Sequence, residues 1–69
     1  MKLSARNVLK GKIIQVKPGA VNIEAILQLD GGGQIVSIIT KEPAESLGLV
    51  LGKKVYAIIK ASSVMIVVD

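Results

Sequence analysis

Apolar and polar side chains alternate through residues 21–29. Val21, Ile23, Ala25, Leu27 and Leu29 fall on one side and Asn22, Glu24 and Gln28 on the other, with Ile26 interrupting the polar side. A period of two is that of a β-strand, whose successive side chains point to opposite faces. The stretch before it, "KGKIIQVKPG", predicts another strand closed by the turn at Pro18-Gly19, and the stretch after it, "QIVSIIT" (34–40), a third. "DGGG" (30–33) lies between the second and third as a hairpin loop. "KKVYAIIKA" (53–61) and "SVMIVV" (63–68) predict a fourth and a fifth strand, joined near Ser62. Several of these segments are apolar on both faces, which fits strands that face a barrel core on one side and another subunit on the other.

Only "TKEPAESLGL" departs from the strand pattern. Thr40 stands where a helix N-cap belongs, Glu42 and Pro43 suit a first turn, and Gly48 suits a C-cap. A short helix is expected from about Glu42 to Leu47. Five strands with one helix between the third and fourth predict an all-β fold with one short helix, a small five-stranded OB-type barrel. Val, Ile and Thr supply 20 of the 69 residues, a bias that strands favour.

Size changes the picture. Residues 1–69 amount to a single domain, and a domain of this length buries only about 60% of its unfolded surface. Disulfides, metals and oligomerisation are the usual remedies. The chain has no cysteine and no histidine, which leaves oligomerisation. A 51% hydrophobic composition agrees, since a monomer this small has little interior in which to hide it. No apolar run approaches the roughly 20 residues that span a bilayer, and "MKLSARN" lacks the apolar core of a signal peptide. The expectation is a soluble cytoplasmic protein without a membrane partner.

Charge narrows the chemistry. Nine Lys and Arg against five Asp and Glu give a net +4, which points to an anionic partner. Tyr56 is the sole aromatic residue, so a single-stranded nucleic acid would find almost nothing to stack on, and a smaller anion fits better. Two polar pairs are candidates for holding it. Ser4 and Arg6 are two apart near the start and share a face in an extended strand. Lys60 and Ser62 are two apart near the end and share a face if the backbone there stays extended. Together they offer two hydroxyls and two cations without a carboxylate. Such a donor set suits a fully deprotonated oxyanion, because a protonated one would leave its own hydrogen unpaired.

"SARN" near the start, "GAVNIE" after the first turn and "GKKVYAIIKASSVM" near the end resemble the molbindins, small cytoplasmic molybdate-binding proteins. The resemblance covers essentially the whole chain as one module. It implies an OB-type barrel, a hexamer built as a trimer of dimers, and molybdate or tungstate bound at subunit interfaces as the ligand, with storage or homeostasis as the role. It places Ser4, Arg6, Lys60 and Ser62 at positions lining the main site, completed by backbone near Ala61 and, from a neighbouring subunit, near Gly19, Ala20 and Val21. It also implies a second kind of site near a three-fold axis, for which Ser37, Thr40 and Lys41 are the candidates.

Two other classes compete. An OB-type nucleic-acid-binding module is favoured by fold and basic charge and opposed by the lack of aromatics. An enzyme is disfavoured: without His or Cys, and with Glu24, Asp30, Glu42, Glu45 and Asp69 unpaired in spacing, there is no evident acid–base set. The glycines of "DGGGQ" are followed by no Lys-Ser or Lys-Thr, so they are not a phosphate loop.

Overall fold

A computed structural model describes residues 7–69. Strands β1 (Asn7–Pro18), β2 (Asn22–Leu29) and β3 (Gln34–Thr40) lead into helix α1 (Lys41–Leu47), followed by strand β4 (Lys54–Ile59) and a 3-10 turn at Ala61–Ser63. The strands form one curled antiparallel sheet in the order β3-β2-β1-β4. β1 lies in the middle and pairs with β2 on one side and β4 on the other. Its register slips once, between Ile13 and Gln15, where Ile14 is the extra residue of a bulge. Bulges bend a strand and increase its twist, which is how a long strand curls around a small core. At the same point the amide of Ile13 donates to the Lys53 carbonyl and its carbonyl accepts from the Gly52 amide, fastening the approach to β4 onto β1.

The turns follow the sequence expectations closely. β1 ends at Pro18, and the Gly19 amide donates to the Asn22 carbonyl at 2.8 Å. The loop 30–33 closes the β2–β3 hairpin, with Gly32 and Gly33 at φ of 99° and 85°, a region that glycine enters without steric cost. The helix starts at Lys41, one residue earlier than expected, and ends at Leu47. Gly48 caps it in the left-handed conformation. Thr40 does occupy the N-cap position, but its side chain makes no capping hydrogen bond. Instead the Lys41 amide donates to the Val21 carbonyl, so the β1–β2 turn supplies an acceptor at the helix start.

The core is small. Ile13, Ile23, Ala25, Leu27 and Ala44 are its buried apolar residues among those described. They come from β1, the inner face of β2 and one side of α1. The alternation in residues 21–29 is therefore the core signal: Ile23, Ala25 and Leu27 face inward as the period of two requires.

The fifth strand is corrected. "SVMIVV" joins no sheet. The chain turns tightly at Ala61–Ser63, where the Ser63 amide donates to the Lys60 carbonyl, and this turn carries the tail away from the edge of β4. Met65, Ile66, Val67 and Val68 are each at least 85% exposed. β-propensity marks a segment that fits a pleated surface, but a strand also needs a partner edge, and the turn denies the tail its own. The same turn corrects the expectation of an extended backbone through Lys60, Ala61 and Ser62: Lys60 is extended at the turn's N-cap, and Ala61 and Ser62 lie within the turn.

Gly11 sits where the β2 backbone leaves no room for a side chain on β1. A Cβ built there would lie 2.6 Å from the Gln28 carbonyl oxygen and 3.3 Å from the Leu29 Cα, both backbone atoms of β2. Gly11→Ala is expected to lower folding stability by about 2–3 kcal/mol, the cost of overpacking against a backbone that cannot yield. Gly31→Ala, with no atom within 4 Å of the added methyl, is the control and should leave the urea midpoint nearly unchanged. Equilibrium denaturation of the two variants tests the contrast.

Candidate functional site

The register of β1 against β4 organises one end of the molecule. Asn7 pairs with Ile59 and Val8 with Ile58. The Asn7 side-chain amide adds a bond of its own, donating from Nδ2 to the Ile59 carbonyl at 3.2 Å. Lys60, Ala61 and Ser62 follow Ile59 directly and are exposed. Their tight turn offers a lysine ammonium, a serine hydroxyl and a small residue at which a ligand can approach backbone. Ser4 and Arg6 lie outside the described residues.

The other end of β1 holds a second group. Gly19, Ala20 and Val21 form the turn into β2. Ala20 and Val21 line an open concavity of about 640 Å³ together with Thr40, Lys41, Glu42, Pro43 and Ser46. The hydrogen bond from the Lys41 amide to the Val21 carbonyl fixes these two segments to each other. The structure thus brings Ala20 and Val21 together with Thr40 and Lys41. It does not bring Ser37 to them: Ser37 pairs with Ala25 on the inner face and lines the apolar groove between β3 and β4. Nor does a single chain bring Gly19–Val21 to Lys60–Ser62, since the twelve residues of β1 separate the two ends.

The charges are mostly unpaired. Lys17 and Glu24 form the only ion pair among the described residues, at 3.7 Å across β1 and β2. Lys53 donates from Nζ to the Leu47 carbonyl at 2.6 Å and so serves the helix C-terminus. Among the described residues no group of three or more His, Cys, Asp or Glu is placed to hold a metal cation. A separate cleft on the outer face, lined by Lys10, Lys12, Asp30, Lys54 and Tyr56, is missed by reading the sequence for polar pairs at the strand ends. The signal for it is present, since Lys10/Lys12 and Lys54/Tyr56 each share a face at a spacing of two, but only the register shows that the two pairs adjoin.

The profile of the TOBE domain matches residues 3–66. This chain belongs to the TOBE domain family. Among TOBE proteins it is similar to "Molybdenum-pterin-binding protein 3" of Clostridium pasteurianum, at 46% identity over 66 residues, covering 96% of this chain and 97% of that one. It is also similar to a "Probable molybdenum-pterin-binding protein" of Haemophilus influenzae, at 44% identity over the full length of both. Among solved structures it resembles MopII from Clostridium pasteurianum, with a TM-score of 0.90 and 42% identity over 97% of this chain and all of that one. It also resembles the cytoplasmic molybdate-binding protein ModG in a molybdate-bound form, with a TM-score of 0.84 and 48% identity over 88% of this chain and 43% of that one. The chain is thus a TOBE module of the small molbindin type, and its curled sheet with one helix is the OB-type fold expected from the sequence.

Asn7 is the clasp that fixes the end of β4, and with it the turn at Lys60–Ser62. Asn7→Ala should cost about 0.5–1.5 kcal/mol, the net worth of one neutral hydrogen bond. It should also raise amide hydrogen exchange at Ala61 to Ser63 more than in β2, and exchange measured residue by residue tests this.

Proposed function

We propose that this protein binds molybdate, and tungstate with it, at interfaces between identical subunits, as an intracellular store that buffers the free oxyanion. One observation carries the reading. β1 and β4 are paired with Asn7 opposite Ile59, and Arg6 is bonded to the first of these while Lys60 is bonded to the second. Lys60 therefore follows the strand whose end is paired with the start of β1. Ser4, Arg6, Lys60 and Ser62, with backbone at Ala61, make a donor-rich, doubly cationic set without a carboxylate, which suits a tetrahedral dianion. The names of the relatives, which couple molybdenum binding with chains of nearly this length, support the same reading.

Assembly completes the proposed site. Gly19, Ala20 and Val21 stand at the far end of β1 and reach a Lys60 turn only from a second subunit. Thr40 and Lys41 adjoin them and are the better candidates for the second kind of site, with Ser37 set apart on the inner face. The fold also carries a reason to assemble. Among the described residues β3 and β4 are both open edges, and between them runs an apolar groove of about 640 Å³ lined by residues such as Ile35, Ile39, Val55, Ala57 and Ile59. The tail Val64–Val68 is an apolar segment that belongs to no strand. Pairing of one copy's tail in another copy's groove would complete the fifth strand, satisfy both edges and bury both apolar surfaces. A hexamer arranged as a trimer of dimers is the assembly that the molbindin resemblance supports.

A binding role accords better with the residues than catalysis does, and the relatives bear binding and transport names. The nucleic-acid reading is not favoured, with Tyr56 alone to stack bases. The cytoplasm is the proposed compartment. ModG, similar in sequence and structure, is described as cytoplasmic, and no helix among the described residues is long and apolar enough to cross a membrane.

Titration calorimetry tests the ligand. Arg6→Ala should weaken molybdate binding by roughly 1.5–3 kcal/mol, the range for hydrogen bonds to charged groups, and Ser4→Ala by about 0.5–1.5 kcal/mol. Arg6→Lys should recover only part of the loss, because lysine keeps the charge without the fork. An Arg6→Ala protein whose melting temperature rises with molybdate as much as the parent's would remove Arg6 from the site. Sedimentation tests the assembly: deletion of residues 64–69 should abolish the oligomer and weaken molybdate binding together, whereas an intact oligomer after deletion would show that the tail is not the strand that joins the copies.

A further inference from the structure

The lysines of this chain are unequally engaged. Lys17 is paired with Glu24, and Lys53 donates to the Leu47 carbonyl. The Lys10 ammonium rests 5.8 Å from the centroid of the Tyr56 ring. Lys12 and Lys54 differ: among the described residues neither ammonium makes a hydrogen bond or an ion pair. The register sets these two directly opposite each other, Lys12 on β1 and Lys54 on β4. No other two lysines are opposed in the sheet among the described residues. Directly opposed residues hold their Cβ atoms about 5 Å apart, and like charges so placed destabilise a sheet. Both side chains are exposed and line a concavity of about 300 Å³ that opens to solvent. Asp30 lines it too, but forms no ion pair with either lysine among the described residues.

Two amines at that spacing can do what one cannot. An acyl phosphate carries a dianionic phosphate two bonds from an electrophilic carbonyl carbon. One ammonium holds the phosphate by charge-assisted hydrogen bonds, and the opposed lysine, in its uncharged form, then has the carbonyl within reach. Its Nζ attacks the carbonyl carbon, and a C–N amide bond forms. The C–O bond to phosphate breaks, and its electron pair leaves with the phosphate. A lysine ammonium and an acyl phosphate dianion thus become an acyl-lysine, a hydrogen phosphate dianion and one proton released to solvent. The acylated nitrogen is neutral, so the like-charge opposition ends. A second acyl phosphate then meets a lone amine with no ammonium opposite. The reaction therefore stops at one acyl group per pair.

We propose that Lys12 and Lys54 form a self-acylation site, in which either lysine binds the phosphate of a small acyl phosphate and the other accepts its acyl group. The proposal stands apart from the molybdate reading and uses none of its residues.

The test follows each lysine separately. The full-length protein is incubated with acetyl phosphate at neutral pH, and mass-spectrometric fragmentation of the intact 7.2 kDa chain reads all the lysines of one molecule together. Lys12 and Lys54, summed, should acetylate at least about tenfold faster than Lys17 or Lys53, the worth of one charge-assisted contact. That rate should saturate with acetyl phosphate, and chains acetylated at one of the two should accumulate without chains acetylated at both. Lys12→Gln should slow acetylation of Lys54 by acetyl phosphate by a similar factor. It should leave the Lys54 rate nearly unchanged with N-hydroxysuccinimidyl acetate, which acetylates without a phosphate to hold. Lys12→Arg keeps the cation and should retain most of the Lys54 rate with acetyl phosphate. The proposal is overturned if Lys12 and Lys54 react no faster than Lys17 and Lys53, or if doubly acetylated chains form as fast as singly acetylated ones. It is equally overturned if Lys12→Gln affects the two reagents alike, or if Lys12→Arg behaves as Lys12→Gln does.

Discussion

β1 is hydrogen-bonded along both sides, and nearly every feature of the molecule depends on that double pairing. Its first half holds β4 and its second half holds β2, with the bulge at Ile14 bending the strand between them. The core residue Ile13 lies at the bend, 1% exposed, and its backbone groups fasten the segment leading into β4. Gly11, at the point where both neighbours pair with β1, brings the β2 backbone close enough to exclude any side chain. The two ends of β1 then carry the two polar constellations, the Lys60 turn beside Asn7 and the Gly19–Val21 turn beside α1. One strand therefore sets the core, the curl and the separation of the chemical groups.

Curling without closure leaves a deficit. Among the described residues, five buried apolar side chains make a slight interior for a chain in which half the residues are hydrophobic. The remaining apolar surface is distributed over the groove between β3 and β4, the outer sheet residues Val36 and Ile38, and the tail. Under the proposed assembly, stability and ligand binding would be linked through the same contacts, because the surfaces covered on assembly would border the residues that share the oxyanion.

Features whose physical cause lies within a few residues were legible in the sequence. The alternation of 21–29 marked the inner face of β2, Pro18-Gly19 and the loop 30–33 marked the turns, and Gly48 marked the end of α1. Features that depend on a remote partner were not. Val64–Val68 has the composition of a strand, but composition does not supply an edge, and the turn at Ala61–Ser63 withdraws the tail from the one nearby. The outer cleft joins Lys12 to Lys54 and Lys10 to Tyr56 across most of the chain, and only the β1–β4 register makes them neighbours. Of the candidate site residues, Lys60, Ala61 and Ser62 cluster by sequence proximity alone. The meeting of Val21 with Lys41 depends on a backbone hydrogen bond between distant segments, and Ser37 falls apart from Thr40 because three residues along a strand reverse the face.

The tail has a further consequence for how copies of the chain find one another. Under the proposed exchange, each copy would carry one donor segment and one acceptor groove. If two copies exchange tails reciprocally, the reaction ends with every edge covered and a closed particle results. If each copy passes its tail to a third, the exchanges close into a ring where the rotation allows and otherwise grow into a filament. The link between Ile59 and Val64 decides between these fates, because a short, tightly turned tether restricts where the tail can be delivered. Under the proposed tail exchange, the 3-10 turn at Ala61–Ser63 would also guard against runaway polymerisation, and lengthening that link with glycine would trade a finite assembly for an open-ended one.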